Sequence, residues 1–434
     1  MINKPVQNRR KATQRKRLLA GMIAATNRDG YAGANVSAVI GEAGVSRPTF
    51  YDYFEDRDDC FIATVVDVRE QLLEETRKAV DSAPPERALA AAVAAIVAFA
   101  GSEPAASRFL MKESLAGGRR ALDARDVGIQ DSAKVVERVL ERIPAQTVIP
   151  DVPVAAVLGA IHRLLASRLR RGERDLGGVQ QEYLTWLDGY SHPAGEHRWR
   201  TLKPMSTPDR SPFLPDTSLR APPALGPGRP RISEAEIAEN HRQRIAFATS
   251  QVVQEQGYTA TTVAEITRLA RVDARVFYRL FADKQEAFSA IHEVGFQYLI
   301  AVAAGAFFAG ASWPERIWEA FRAATQSVDD APAFAYVAFV DAYAIGPRGI
   351  QRVEDSRIAF TIFLQEGYQY QTQGTPPSRV ALEAIITTIF EIVYGQVRTS
   401  SEPQISCLLP HIVFLSLAPF LGAAKANRFI DQKL

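Results

Sequence analysis

Apolar residues recur every three or four positions through most of the chain, which is the spacing of an amphipathic α-helix. Early in the chain, Val36, Val39 and Ala43 lie on one face of a predicted helix. Phe50 and Phe54, four residues apart, lie on one face of a shorter helix that follows. No segment alternates convincingly with the period of two that a half-buried strand would show. The sequence therefore predicts an all-α protein.

A turn separates these two predicted helices. Gly44 tolerates the positive φ that ends a helix, and Ser46 is a good N-cap for the next one. Pro48 falls in the first turn of that helix, where a missing N–H costs nothing. The short helix then turns Ser46, Arg47, Thr49, Tyr51 and Tyr53 away from the core. Arginine, hydroxyl and tyrosine side chains on an exposed helix suit the major groove of DNA.

The run GVSRPTFYDYFEDRDDCF resembles the DNA-binding head of the TetR family of bacterial regulators. That family has a Gly-Val-Ser turn, Phe-Tyr in the recognition helix, and then Phe and a basic residue opening a long helix; Arg57 stands here where the family has Lys. The alternative is a helix–helix corner with no DNA role. The resemblance implies the following DNA-binding residues in the first head: Arg15, Arg17, Asn35, Ser46, Arg47, Pro48, Thr49, Tyr51, Tyr53 and Arg57.

The same pattern returns in the second half of the chain without a gap, so that Gly30 corresponds to Gly257 and Phe50 to Phe277. An internal repeat of this length predicts two TetR-like units in one chain. The turn differs, since Arg271-Val272-Asp273 replaces the family's Gly-Val-Ser, so the second head is expected to bind a different half-site or mainly phosphate. Its expected DNA-binding residues are Arg229, Arg231, Arg244, Thr261, Thr262, Arg275, Tyr278, Arg279 and Lys284.

The predicted organisation follows from this repeat. A three-helix head is too small to be robust alone, and the family places a helical ligand-binding and dimerisation body behind it. Helix-compatible segments agree in number: 59–81, 86–101, 104–117, 120–142, 151–171 and 176–190, and then 283–309, 314–327, 331–345, 347–371, 378–398 and 403–423. The expected domains are a basic arm (1–12), a head (13–58), a body (59–190), a proline-rich linker (191–231), a second head (232–284) and a second body (285–434).

Two basic segments precede the two heads. The first twenty residues carry seven Lys or Arg and no acid, so they are expected either to follow phosphates or a minor groove or to be a solvated tail. The linker ends in GPGRPR, where Gly-Arg-Pro resembles a minor-groove hook. Ser233 and Glu236 form a predicted capping box that starts the second head. His192 and His197 lack a third ligand, so no metal site is expected.

The segment 405–423 is nearly all apolar, and a membrane span is one interpretation of it. Pro410, His411 and Pro419 interrupt the segment, and no basic flank stands out. In the TetR family, the last two helices pair with the same helices of a partner in a four-helix bundle, a role that suits a helix buried on nearly all sides. No membrane association is therefore expected.

Composition narrows the function further. The 434 residues carry a net charge of only +2, so nucleic acid must be bound through local basic patches. Two distant cysteines, Cys60 and Cys407, fit a reducing cytoplasm without disulfides. The chain has no P-loop, HExxH, GxSxG or cysteine cluster, so neither an enzyme nor a cofactor is expected.

The sequence and the resemblance together predict a cytoplasmic transcriptional regulator, a ligand-responsive repressor that binds double-stranded DNA. The chain is expected to act as an intrachain pseudo-dimer on an asymmetric operator, or alternatively as a homodimer with four heads. The remaining alternatives are a protein-interaction scaffold and a ligand-independent architectural DNA binder. A small apolar or aromatic effector is expected near Phe109, Met111, Trp318, Phe321, Phe334, Phe339 and Tyr343, although helical aromatics are more often core.

Overall fold

The computed structural model describes residues 4–143, 152–173, 175–190, 208–214, 221–225, 233–371 and 376–434, with side chains from Ala12 onward. The chain divides into two compact units. The first comprises Met1–Ile149 and Pro153–Leu187, and the second comprises Pro150–Val152 and Asp188–Leu434. The described residues of the predicted linker, 208–214 and 221–225, therefore belong to the second unit.

The first unit is built from nine helices in its described residues. They are α1 (Lys4–Gly33), α2 (Val36–Ala43), α3 (Arg47–Tyr51), α4 (Arg57–Ser82), α5 (Ala88–Ser102), α6 (Pro104–Met111), α7 (Gly118–Leu140), α8 (Val154–Arg170) and α9 (Gly177–Asp188). The first three form the head, and α4 runs from the head into the body, where it packs against α5 and α7.

The second unit repeats this order and, in its described residues, has two helices more. Its helices are α10 (Glu234–Gln256), α11 (Val263–Ala270), α12 (Ala274–Leu280), α13 (Lys284–Phe307), α14 (Trp313–Asp330), α15 (Pro332–Phe339), α16 (Pro347–Phe360), α17 (Ile362–Gln365), α18 (Arg379–Thr399), α19 (Leu409–Leu421) and α20 (Ala423–Lys433). A 3-10 turn at Asp341–Ile345 follows α15, just as a turn at Glu113–Ala116 follows α6.

The all-α prediction is confirmed, and the described residues contain no strand. The basic segment near the N-terminus is helical in its described backbone, since α1 begins at Lys4 and includes most of the predicted arm. The C-terminal helix α20 was not predicted, since Gly422 ends α19 with φ 82° and the apolar pattern weakens beyond it.

The apolar segment near the C-terminus is shorter as a helix than its composition suggests. A 3-10 turn occupies Ile405–Leu408, and α19 has only 13 residues, too few to cross a bilayer of about 30 Å. By length and composition alone, three other helical segments could cross: Pro85–Ser102, Lys284–Phe307 and Arg379–Thr399. The last of these is 78% buried within the protein, where it forms part of the core of the second body.

Candidate DNA-binding surfaces

The first head is held together by a small apolar core. Leu18 and Met22 of α1 are fully buried, as are Val39 of α2 and Phe50 of α3. Phe54 closes this core just beyond α3, with its ring centroid 5.6 Å from that of Phe50. Burial of two phenylalanines four residues apart fixes which face of the short α3 helix points outward.

The predicted caps define both ends of the turn. The side chain of Asn35 accepts a hydrogen bond from the N–H of Ala38 at the start of α2. Gly44 ends α2 in the left-handed conformation with φ 59°. The hydroxyl of Ser46 accepts from the N–H of Thr49, and Pro48 lies in the first turn of α3. These local bonds leave the N-terminal end of α3 exposed and ordered.

The outward face of α3 carries the polar groups that the sequence predicts there. The Arg47 guanidinium donates to the hydroxyl of Ser37 at 2.9 Å, which tilts it across the start of α2. Ser46 and Thr49 share a hydrogen bond between their hydroxyls. Tyr51 is 51% exposed. The face therefore offers one arginine, two hydroxyls and a phenol to a groove, which is the chemistry of base and phosphate contact.

Two residues predicted to bind DNA, Tyr53 and Arg57, make contacts within the first head. The Tyr53 hydroxyl donates to the side chain of Gln14 in α1. Arg57 donates to the carbonyl of Tyr31, lies over the Tyr31 ring at 4.2 Å and pairs with Asp58. Both side chains therefore hold helices together.

Two basic residues in the N-terminal half of α1 are exposed. Arg15 is exposed, and so is Arg17, which donates to the carbonyl of Gly44 at 2.9 Å. That bond satisfies an otherwise unpaired carbonyl at the C-terminus of α2, where a cation also interacts favourably with the helix dipole. Arg17 can thus support the turn while the rest of its guanidinium faces solvent.

The second head is built on the same scaffold with different cap residues. Thr262 and Glu265 form a capping box at the start of α11, and the Asp273 carboxylate accepts from the N–H of Arg275 at the start of α12. Arg271 ends α11 with φ 51°, and it is the one non-glycine residue with positive φ in the described part of the chain. Asp273 and Glu265 thus act as caps.

Ring geometry shows how closely the two heads correspond. Tyr31 and Phe61 meet edge to face with centroids 4.8 Å apart and planes at 74°. Tyr258 and Phe288 meet at 4.9 Å and 70°. These pairs link the end of the first helix of each head to the first turn of α4 or α13. The shared scaffold therefore presents the two recognition helices, α3 and α12, in the same way on their own heads.

The exposed faces of the two heads carry different charge. In the second head, arginines project from α11, from its C-cap and from α12, together with Tyr278, which is 58% exposed. In the first head, the corresponding stretch holds a single arginine, Arg47. A surface with several arginines and few base-reading groups favours phosphate contact over base recognition. The exposed arginines of the second head are Arg268, Arg271, Arg275 and Arg279.

Three residues predicted to bind DNA in the second head make contacts within the head; two of them are buried, and Lys284 is partly exposed. Arg244 is only 6% exposed and donates twice to the carbonyl of Ala270. The hydroxyl of Thr261 is buried and donates to the carbonyl of Gly257. The Lys284 ammonium donates to the carbonyls of Tyr258, Thr259 and Thr261, which uses its three N–H groups. Each of the three therefore stabilises the head.

Two further predicted residues, Arg229 and Arg231, lie outside the described residues. The same holds for His192 and His197 in the linker. In the part of the chain that the structure describes, no group of three His, Cys, Asp or Glu side chains could hold a metal ion.

The predicted effector residues fall into two groups. In the first body, Phe109 and Met111 are buried core, and the Phe109 ring packs against Phe61 at 4.9 Å. In the second body, Phe321 and Phe339 line a cavity of about 30 Å³. Phe334 and Phe339 line a second cavity of about 40 Å³. Trp318 and Tyr343 are buried and line neither cavity.

The second cavity contains a polar group that the sequence did not single out. His292 lines it together with Tyr298 and Ser327. Burial lowers the pKa of His292 to about 4, and the charge of Arg352 acts in the same direction, against a hydrogen bond to the backbone of Ala338. The imidazole is thus neutral at pH 7, when it can offer one donor and one acceptor.

The first body has a concave surface of opposite character. An open groove of about 920 Å³ runs between α4 and α5 over a floor of Ala95, Ala98 and Phe99. Its rim repels anions, because its carboxylates outnumber its one lysine, Lys78. The carboxylates are Asp67, Glu70, Glu74, Glu75 and Glu103.

Both cysteines lie in the interior. Cys60 is fully buried at the start of α4, and burial raises the pKa of its thiol to about 12. Cys407 is buried in the second body. A neutral, inaccessible thiol is a poor nucleophile, so Cys60 acts as a small apolar residue.

The predicted DNA-binding residues do not include two exposed arginines, Arg268 of α11 and Arg271 at its C-cap, although the altered turn at Arg271 was a signal. Arg271 stands where the first head has Gly44, and an arginine at a position that favours glycine is unusual enough to be singled out. His292 had no comparable signal, since a single histidine in an apolar helix is most often a core residue.

Comparison with known proteins agrees with this geometry. The sequence profile of the bacterial regulatory proteins of the tetR family matches residues 19–64 and again residues 245–291, which are the two heads. No curated protein matches the chain.

Two solved structures of regulators resemble part of the chain. One is the transcriptional regulator FadR from Bacillus subtilis in complex with stearoyl-CoA, at 16% identity and a TM-score of 0.37, covering 41% of this chain and 99% of that chain. The other is a TetR family transcription regulator from Marinobacter aquaeolei VT8, at 15% identity and a TM-score of 0.35, covering 42% and 96%.

The matched profile describes regulatory proteins rather than enzymes. It falls on the residues that form the capped turn and the recognition helix in each half of the chain. The chain therefore carries two tandem DNA-binding domains of the TetR family of transcriptional regulators.

Proposed function

We propose that this protein is a cytoplasmic, sequence-specific transcriptional regulator, a ligand-responsive repressor that binds an asymmetric operator as an intrachain pseudo-dimer. The observation that carries the proposal is the pair of heads with one scaffold and two different exposed faces. The two heads hold their recognition helices in the same way, which suits DNA binding by both. The exposed side chains of the two helices differ, which suits recognition of two unlike half-sites.

The two heads are assigned different tasks. Arg47, Thr49 and Tyr51 of the first head can hydrogen-bond base edges, and one bidentate arginine contact is worth about 1–3 kcal/mol of discrimination. The second head offers Arg275 and Arg279 on α12 with cations nearby, but no hydroxyl at the position of Thr49, where Val276 stands. It therefore contributes affinity through phosphate and little sequence preference.

The pseudo-dimer follows from covalent linkage. Two units on one chain meet at an effective concentration that can reach the millimolar range. The homodimer with four heads is the competing assembly. Light scattering distinguishes the two, because a pseudo-dimer has the chain mass of 47.7 kDa at micromolar concentration. A stable species of twice that mass would exclude the intrachain arrangement.

The ligand response is assigned to the second body. Phe339, Leu299 and Val328 line both small cavities, so they form the partition between them. Two residues after Phe339, the Asp341 carboxylate accepts a hydrogen bond from the N–H of Tyr258 in the second head. An apolar effector that displaced the Phe339 ring would thus act close to a contact between body and head. The effector can change DNA binding only as far as its affinities for the DNA-binding conformation and for the other conformation of the protein differ.

An apolar probe tests the cavity. Indole should raise the melting temperature of the Phe339→Ala variant, because truncation of the partition enlarges the space and binding to the native state stabilises it. Phe308→Ala is the matched control, since Phe308 is exposed at the end of α13. If indole raised the melting temperature of both variants equally, the second body would not be the ligand site.

Selection from random DNA tests the main proposal. We expect one sharp half-site and one blurred half-site at a fixed offset, spaced by one or more helical turns. A strong inverted repeat, equally sharp on both sides, would mean that two copies of the first head bind together. Selection of no motif with retained DNA affinity would favour the architectural binder, and loss of all DNA affinity would favour the scaffold.

A further inference from the structure

Part of the linker is bound to the second body through a single glutamine. The side-chain carbonyl of Gln326 in α14 accepts from the N–H of Ser211 at 2.8 Å. Its amide group donates to the carbonyls of Pro208 and Asp209, both at 3.0 Å. One buried side chain thus holds three positions of the linker within four residues, each through a backbone group.

Two further contacts fix the same seven-residue segment. Leu214 is buried against α13 and α14, where it packs with Val302, Ala306 and Ala323 and against Tyr298. Arg210 forms a salt bridge with Asp330 at the end of α14, with 2.9 Å between Nη2 and Oδ2. Residues 208–214 therefore behave as a bound segment of the body.

The linker is held a second time a few residues later, now by the second head. The side-chain amide of Asn240 in α10 donates to the carbonyl of Pro223 at 3.2 Å. Arg244, which also supports the end of α11, donates to the carbonyl of Pro222 at 3.4 Å. Both donors lie on the first helix of the head, and both acceptors are backbone groups of the linker.

We propose that this part of the linker is a tie that holds the second head against the second body. From Leu214 to Pro222 the chain has eight peptide steps, which can span at most about 28 Å. A head that swung away from the body would have to stay within that reach or release the Gln326 contacts or the Asn240 and Arg244 contacts. This restraint goes beyond the proposed function and does not depend on DNA.

The amide of Tyr258 reports directly on the restraint. It belongs to the head, and its hydrogen bond ends on Asp341 in the body. When the head separates from the body, this N–H loses its acceptor and exchanges with solvent. The tie is a second link between head and body beside the one through α13, so it limits that separation further.

Hydrogen exchange of the full-length protein without DNA is the first test, with Gln326→Ala compared with Gln297→Ala. Gln297 is exposed on α13 and bonds only to Glu293 among the contacts described for it, so its loss is the matched control. We expect Gln326→Ala to speed exchange in residues 208–214 and also at Tyr258, each by about tenfold. Faster exchange confined to the linker, with Tyr258 as in the wild type, would overturn the tie.

A cut in the tie provides a second test that leaves every described contact in place. Residues 216–219 are replaced by a specific protease site, and the purified protein is cleaved there. The tie predicts about tenfold faster exchange at Tyr258 after cleavage, since the head then stays joined to the body only through the start of α13. An unchanged rate would overturn it. Neither measurement involves DNA, so the proposed function and the tie can fail separately.

Discussion

Arg271 holds, at the end of α11, the left-handed backbone conformation that Gly44 holds at the end of α2. An L-residue with a side chain pays about 1–2 kcal/mol for this conformation. The position nevertheless carries a cation, and three more exposed arginines lie on α11 and α12 of the same head. A role in phosphate binding accounts for an arginine at this position beside the recognition helix, where an uncharged glycine would be free of backbone strain.

Arg271→Gly separates the two properties, because it removes the charge and relieves the backbone. The free energy of unfolding should rise by about 0.5–1 kcal/mol, while DNA affinity falls and the slope of log K against log salt decreases in magnitude by about 0.9. Chemical denaturation and a fluorescence titration over a salt series measure the two effects. Arg268→Ala is the control without backbone relief. An unchanged salt slope would place Arg271 away from phosphate.

Arg47→Ala should reduce specific binding by about 1–3 kcal/mol, since the exposed guanidinium reaches across the start of α2 towards the groove side of α3. Binding to unrelated DNA should change much less. Arg77→Ala is the control, because Arg77 lies on α4 in the body and pairs with Glu74. Titration of the selected operator and of scrambled DNA gives the comparison. Equal losses on both sequences would assign Arg47 to phosphate.

Arg244→Met should act on stability rather than on DNA. The side chain is buried and makes two hydrogen bonds to Ala270, and burial lowers the pKa of its guanidinium. Its loss should lower the free energy of unfolding by about 1–3 kcal/mol with the salt slope of DNA binding unchanged. Arg17 occupies the corresponding, exposed position in the first head and makes one hydrogen bond, to Gly44. Arg17→Met should therefore lower the free energy of unfolding by only about 0.5–1 kcal/mol. If Arg244→Met instead reduced the salt dependence of DNA binding, Arg244 would be a phosphate-contacting residue.

His292 makes the second body sensitive to acid. Its pKa falls from about 6.5 in the unfolded chain to about 4 in the folded protein, so the unfolded state binds more protons between these values. Its contribution is complete above pH 6.5 and is lost as the pH falls towards 4, by about 3 kcal/mol in all. Denaturation of the wild type and of His292→Asn between pH 7 and 4 should show a flatter profile for the variant. Parallel profiles would contradict the assignment.

The features that the sequence predicted correctly are those set by neighbours in the chain. Caps at Ser46 and Ser233 depend on bonds spanning three residues, and the outward face of α3 depends on the spacing of Phe50 and Phe54. Such local rules transfer from sequence to structure without knowledge of the tertiary fold.

Arg244 shows why the burial of some side chains does not follow from the sequence. It corresponds to the exposed Arg17, and nothing within α10 distinguishes the two. The difference is that linker residues cover it, since Pro222 and Pro223 contact Arg244 and Asn240. Contacts made by an irregular proline-rich segment follow no periodic pattern, so the burial of Arg244 could not be predicted. For the same reason, the hydrogen bonds between Gln326 and the linker could not be predicted.

The interior position of both cysteines has a practical consequence for distance measurement. The Cys60 thiol is inaccessible and neutral at physiological pH, and Cys407 is buried. Tyr51→Cys and Tyr278→Cys would place an accessible thiol on each recognition helix, where the native tyrosines are exposed. Maleimide reagents should then modify the new positions selectively. A donor and acceptor dye pair, or two spin labels, can thus be attached without first building a cysteine-less background.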